Sequence, residues 1–263
     1  MKIALLYYSG AGNTKFIAKN IYKKLKNKSY EIEMFRISSK IIDISKQNID
    51  LYIVGFPVYD VSAPKLVTDF IQNLKTESKP IAYFCTKALL SADSILELSE
   101  ISTGKGLRTI ATLDLFMPAT DMLALFAKKN SKTENILKYL HSRNIKVKLD
   151  KFITRIEKGK ELNISKKWYS YLAFLIPNKT KKAFHDQYTK YIPEFQSLND
   201  ICIECMLCVK NCPRENIIFK NGIKFGLNCD MCLNCFHHCP VEAINIGNRT
   251  NGTVRYNKVK IKI

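Results

Sequence analysis

A chain of 263 residues is long enough for one ordinary domain and a small second one. Its formal charge of +19 raises nucleic acid as a partner, but the lysines are spread out, as at Lys23, Lys24, Lys26 and Lys28, with no nucleic-acid-binding motif beside them. Solvated helix faces are the reading taken, and nucleic acid is set aside.

Residues 2–8 form a short apolar run that ends in a Gly-rich turn without a small-x-small cleavage site, which reads as a buried strand rather than a leader. The expected compartment is the cytoplasm. Residues 13–26 have helical spacing through Phe16, Ile17, Ile21 and Leu25, residues 30–37 alternate as a strand does, and residues 50–55 read as a buried strand. A helix over 64–74 and strands over 80–86 and 107–116 follow, with helical patterns over 91–101 and 132–142. Short apolar strands separated by helices predict a parallel sheet covered on both faces. Cys85 lies in an apolar stretch and reads as a small buried hydrophobe.

In such a sheet the ligand sits beyond the carboxyl ends of the strands. The first strand ends in Ser9, Gly10, Ala11, Gly12, Asn13 and Thr14 and runs into a helix. Two glycines let the backbone approach an anion, the helix start aims N–H groups at it, and Ser9, Asn13 and Thr14 add side-chain donors. No Gly-Lys-Ser/Thr follows, and Lys15 stands where a G-x-G-x-x-G run needs glycine. The loop resembles the phosphate loop of flavodoxins, which cradles the terminal phosphate of FMN. Ala11 replaces a threonine common there, a lost donor of about 0.5–1.5 kcal/mol.

After the third strand, Gly55-Phe56-Pro57-Val58-Tyr59 resembles the G-x-P-V-Y segment of flavodoxin-like proteins. That resemblance implies that Pro57, Val58 and Tyr59 lie against the isoalloxazine ring, with Tyr59 stacked on it or at its edge. The other reading of Tyr59 is ordinary aromatic packing over a loop. Thr86 stands beside the implied ring site, in a Phe84-Cys85-Thr86-Lys87-Ala88 segment without the glycine often found there. After the fifth strand, Met117-Pro118-Ala119-Thr120-Asp121 lacks an aromatic cover.

Residues 151–198 form a connector, read as mostly helical and basic. Its apolar, aromatic stretch over 168–177, flanked by Lys166, Lys167, Lys179, Lys181 and Lys182, is shorter than the about 20 residues a membrane span needs. It reads either as an interdomain helix or as a membrane-surface helix over 166–182.

Eight of the nine cysteines then fall between Cys202 and Cys239. Cys202, Cys205, Cys208 and Cys212 form a C-x-x-C-x-x-C-x-x-x-C-P run, and Cys229, Cys232, Cys235 and Cys239 repeat it. Two intervening residues let a tight loop turn three thiolates onto one cubane, while the longer gap throws the fourth away. Zinc is the competing reading of C-x-x-C pairs, but a four-ligand zinc site has no use for a third cysteine at the same step. Disulfides need an oxidising compartment, which nothing in the sequence suggests. The runs resemble those of bacterial two-cluster ferredoxins, in which the fourth cysteine serves the other cluster. The resemblance implies one [4Fe–4S] cluster on Cys202, Cys205, Cys208 and Cys239, and another on Cys229, Cys232, Cys235 and Cys212.

Residues 216–219 and 243–246 each read as a helical turn leading to a short strand, Asn221-Gly222 as a hairpin signal, and residues 253–263 as an edge strand. His237 and His238 invite a ligand reading, but the cysteines already complete both clusters. A domain this small needs metal for much of its folding free energy.

Taken together, residues 1–150, 151–198 and 199–263 resemble bacterial fusion proteins in which a flavodoxin-like domain precedes a two-cluster ferredoxin domain. The resemblance implies a doubly wound, parallel five-stranded α/β sheet followed by a small α+β domain. It also implies electron transfer between FMN, the two clusters and redox protein partners, in anaerobic or microaerobic metabolism. The basic surface suits acidic partners. Two alternatives stay open: a flavin-dependent reductase of a small substrate fed by the clusters, and a two-cluster ferredoxin with a flavin-free docking domain. No acid–base constellation marks a catalytic residue.

Overall fold

Each strand of the first domain feeds two cores at once, which is why its sequence is apolar without interruption. The computed structural model describes residues 1–40, 44, 48–59, 62–76, 78–88, 93–139, 141–164, 186 and 189–256. Strand β1 (Lys2–Tyr7) sends Ile3, Leu5 and Tyr7 to one face. Ala4, Leu6 and the following Tyr8 go to the other. The first face packs under helix α1 (Asn13–Asn27), whose Ile17, Ile21 and Leu25 are fully buried. Strands β2 (Glu31–Arg36), β3 (Leu51–Pro57), β4 (Pro80–Lys87) and β5 (Arg108–Phe116) complete a parallel sheet in the order β2-β1-β3-β4-β5. That is the flavodoxin-like order, with its switch point between β1 and β3. Helices α2 (Lys65–Asn73) and α3 (Ser94–Thr103) bury Val67, Ile71 and Leu98 against the second face.

Helix α4 (Thr120–Phe126) occupies a stretch for which no element was expected, whereas α5 (Lys132–Tyr139) falls within the helical pattern over 132–142. Helix α6 (Ile145–Lys158) runs through residue 150, where the first domain was expected to end. Its Ile145, Leu149, Phe152, Ile153 and Ile156 share the core of α1 and the sheet, so the first structural unit continues to Gly159, the left-handed residue that ends the helix. The apolar stretch over 168–177 and the segment over 166–182 lie outside the described residues.

The small domain begins ahead of residue 199. Strand β6 (Phe195–Ser197) pairs antiparallel with β9 (Ile244–Ile246). Strands β7 (Ile217–Phe219) and β8 (Ile223–Phe225) form a hairpin whose turn holds Asn221 and Gly222 at positive φ, as the Asn-Gly signal predicts. The expected helical turns lie earlier, inside the cysteine runs, as α7 (Leu207–Asn211) and α8 (Asn234–His238). Each stops before a Cys-Pro pair because the residue preceding proline is driven to extended backbone; Cys212 and Cys239 both have ψ 117. The edge strand expected over 253–263 is corrected in its described part. Thr253 makes an isolated bridge to Lys128 of the first domain and residues 253–256 form no strand, while residues 257–263 lie outside the described residues.

Candidate functional site

The two cysteine runs fold as copies of one loop. Glu204, Met206 and Glu215 have φ of 50, 58 and 52, and their counterparts Met231, Leu233 and Glu242 have 50, 56 and 57. Left-handed backbone at these non-glycine positions costs energy. Here it turns successive cysteines inward. Cys202, Cys205, Cys208 and Cys239 line one cavity with Met206, Ile223 and Ile244. Cys212, Cys229, Cys232 and Cys235 line another with Phe195, Ile217 and Leu233. The fourth cysteine of each run thus joins the three of the other run.

Backbone N–H groups point at the sulfurs in matched positions. Asn216 donates to Cys212 Sγ at 3.3 Å and Ala243 to Cys239 Sγ at 3.1 Å, while Met231 donates to Cys229 Sγ at 3.3 Å. Burial pushes the Cys229 thiol up to about 11 and the Cys232 thiol up to about 12, and raises Cys235 well above its ordinary value. A thiolate at these three positions therefore needs a cationic centre beside it. Among the described residues, no three His, Cys, Asp or Glu side chains converge on a point where one metal ion would be held. Four thiols around an apolar cavity, with N–H donors to sulfur, suit a cubane better than a single zinc ion. The eight cysteines of the two runs form no disulfide, and Cys85 is fully buried.

His237 has a structural role. Its Nδ1 accepts from the Tyr256 N–H at 3.1 Å, so Nε2 carries the proton and donates to the Thr120 carbonyl at 3.2 Å. Burial pushes its ring down to about 3, and it stays neutral. His238 donates from Nδ1 to the Asn234 carbonyl one turn back.

At the carboxyl edge of the sheet the residues of the anion loop and of the implied ring site do come together. Thr14 and Thr86 hydroxyls meet at 2.9 Å, Val58 N–H donates to the Thr86 carbonyl, and Pro57 pairs with Thr86 across β3 and β4. Ser9 Oγ accepts from the Lys15 N–H, and Gly12, at φ 114, starts α1. Among the described residues the N–H groups of Ala11, Gly12, Asn13 and Thr14 find no acceptor, as an anion cradle requires. Tyr59 is half-buried and packs edge-on to Tyr8, ring centroids 6.2 Å apart.

The small domain itself sits on this edge. A Cβ at Gly10 would collide with the Cys232 carbonyl and come within 2.8 Å of the Tyr59 hydroxyl, so Gly10 lets the second cysteine run approach. Asn13 is engaged at both ends: Nδ2 donates to the Pro118 carbonyl, and Oδ1 accepts from the Tyr256 hydroxyl. Tyr8 donates to Asp230 at 3.0 Å, and Asp230 also holds Arg214 at 2.6 Å. Burial raises the Tyr8 and Tyr59 hydroxyls well above the ordinary tyrosine value, keeping both protonated. Sequence reasoning missed Tyr8, Asp230 and Arg214: Asp230 stands at an x position of a cysteine run, which carries no spacing signal, and Tyr8 and Arg214 lie outside any motif.

The amide cradle therefore fits a phosphate, whereas the place beside Tyr59 that a flavin ring would take is held by the Cys232 loop in this arrangement. Two comparisons bear on these regions. Residues 4–99 match the family model described as the flavodoxin domain. Pyruvate synthase subunit PorD of Thermotoga maritima is 42% identical over 48 residues, 17% of this chain, and the chain spans 48% of that relative's length. Among solved structures, the flavodoxin of Streptococcus pneumoniae TIGR4 is 14% identical with a TM-score of 0.45, covering 61% of this chain and 100% of that one. A flavoprotein from Lactobacillus acidophilus, solved in complex with FMN, is 20% identical with a TM-score of 0.37, covering 43% and 92%. The N-terminal part has a flavodoxin-like fold, and residues 4–99 of it match that family model. Among the described residues no helix is long and apolar enough to cross a membrane.

Proposed function

We propose that the protein is an electron carrier with two [4Fe–4S] clusters, one held by Cys202, Cys205, Cys208 and Cys239 and the other by Cys212, Cys229, Cys232 and Cys235. The observation that carries this reading is the gathering of each quartet around its own cavity by matched left-handed loops. A cubane, when bound, supplies reversible one-electron transfer. The chain's own part is to hold the sulfurs, direct N–H groups at Cys212, Cys229 and Cys239, and wall the cavities with apolar side chains. The likeness to a pyruvate synthase subunit supports the iron–sulfur reading.

In this proposal residues 9–14 take the phosphate of FMN, with Pro57, Val58, Tyr59 and Thr86 at the ring. The flavodoxin-domain match supports that step, as do the amides of residues 11–14, which find no acceptor among the described residues. The contact of the Cys232 carbonyl with Gly10 favours a second reading, in which the flavodoxin-like domain is a flavin-free platform for the iron–sulfur domain. Redox proteins in the cytoplasm, acidic ones suiting the basic surface, are the proposed partners.

Anaerobic purification followed by iron, sulfide and flavin analysis tests both. About eight irons and one FMN per chain support the first reading. Eight irons in a protein that neither retains nor rebinds FMN support the second, and zinc in place of iron and sulfide sinks both.

A further inference from the structure

Loops after four of the five strands touch the small domain. Tyr8, Gly10 and Asn13 after β1 meet Asp230, Cys232 and Tyr256. Arg36, closing β2, donates to the Asn211 carbonyl at 2.6 Å, and the Ser39 N–H donates to the Pro213 carbonyl at 2.7 Å. Tyr59 after β3 packs with Cys232, and the Thr120 carbonyl after β5 accepts from His237. This is the edge at which an open parallel sheet takes its ligand.

From this overlap we infer that the docked iron–sulfur domain and a flavin ring exclude each other at the carboxyl edge, so that FMN enters only when the Cys232 loop lifts from Gly10. The inference rests on the FMN reading of residues 9–14. The phosphate end of the ligand keeps its donors in the docked arrangement, since among the described residues the amides of residues 11–14 have no acceptor. The ring end does not keep its space. The Cys232 carbonyl and the Tyr59 hydroxyl meet over Gly10, and the Asn13 side chain is committed to Pro118 and Tyr256.

Two occupants of one surface are linked reciprocally. Docking weakens FMN binding by the factor by which FMN weakens docking. The apparent affinity for FMN then equals the intrinsic affinity scaled by the open fraction, so any change that loosens docking tightens FMN. Arg36 and Tyr8 are suited to such a change, because each contributes one hydrogen bond across the interface and neither belongs to the anion loop or the implied ring contacts. Asp230 keeps Arg214 when the Tyr8 hydroxyl is removed, so Tyr8→Phe leaves no charge unpaired.

The test uses the full chain with its clusters loaded under anaerobic conditions. FMN is titrated by flavin fluorescence, and hydrogen exchange is followed over residues 36–40 and 209–214. FMN binding to the wild type is expected to raise exchange in both segments. Arg36→Ala and Tyr8→Phe are each expected to tighten FMN about tenfold, the value of one hydrogen bond to or from a charged group. Flavin bound while both segments keep their protection, or variants with wild-type affinity, overturns the exclusion and leaves the FMN reading intact. No binding by wild type or either variant, with iron content unchanged, overturns the exclusion together with the FMN reading.

Discussion

Gly10→Ala separates a contact from a conformational effect, because Gly12→Ala two residues on is its control. At Gly10 the obstacle to a Cβ is the Cys232 carbonyl, a backbone atom that cannot swing aside as a side-chain tip can. At Gly12 a Cβ meets nothing within 4 Å, but the φ of 114 is one that alanine rarely adopts. Forcing a methyl into a packed contact costs about 1–3 kcal/mol. If docking bears that cost, the docked-to-open ratio falls by about fivefold to somewhat over a hundredfold. Gly12→Ala costs a similar ~1–2 kcal/mol, but in folding of the first domain rather than in docking. Hydrogen exchange reads the two apart. Gly10→Ala is expected to raise exchange at residues 36–40 and 209–214 with little change in the sheet, whereas Gly12→Ala lowers the melting temperature and leaves those segments protected. Equal protection of both segments in Gly10→Ala and wild type would refute the reasoning.

The cluster assignment predicts that Cys235→Ala lowers iron from about eight to about four per chain and leaves the signal of one reduced cubane in electron paramagnetic resonance; loss of all iron would instead point to one cooperative site. Chelation of iron from the loaded protein is expected to erase exchange protection over β6 to β9 while β1 to β5 keep theirs, since the small domain's apolar core is built around the cysteines. Unchanged protection after complete chelation would show that the domain folds without metal. Glu134 accepts from Lys138 and from the Asn130 N–H, and the Lys138 bond above all holds its carboxyl below the ordinary 4.5. A depressed carboxylate stabilises the fold above its unfolded pKa and loses that contribution as pH falls. Glu134→Gln should therefore cost about 0.3–1 kcal/mol at pH 7 in urea unfolding, with the gap to wild type closing as pH falls below about 4.5; a gap independent of pH contradicts the assignment.

Most of the sheet was legible because strands buried on both faces leave uninterrupted apolar runs, and β1, β3 and β4 lie within a few residues of the expected spans. The grouping of the cysteines was legible because they recur at one regular spacing in two runs, and the structure gathers each quartet around its own cavity. Helix α6 carried a readable pattern at Ile145, Leu149, Phe152 and Ile156, and the boundary expected at residue 150 falls inside it. Strand β6 carried none. Three residues are too few for a period, and Phe195 becomes a strand residue only by pairing with Ile246 from the far end of the domain. The docking edge was least legible, because much of it is built from carbonyls of Cys232, Asn211, Pro213 and Thr120, and a backbone atom leaves no trace in residue identity.

Docking also explains where the two cysteine runs differ. Their left-handed positions match, yet Ile203, 61% exposed, has Asp230 as its counterpart, with a side chain only 13% exposed. Arg214, which holds Asp230, has Val241 as its counterpart. A charged pair this little exposed is worth keeping only where further hydrogen bonds satisfy it, and Tyr8 of the first domain supplies one. The substitutions that break the internal symmetry thus fall on the face turned toward the sheet. The same docking divides the cysteines, since Cys205 stays exposed while its counterpart Cys232 is packed over Gly10. Two cubanes in these cavities would meet unlike solvent and unlike charges, and cluster potentials follow such surroundings. An internal repeat gives two equal sites, and it is the neighbouring domain that makes them unequal.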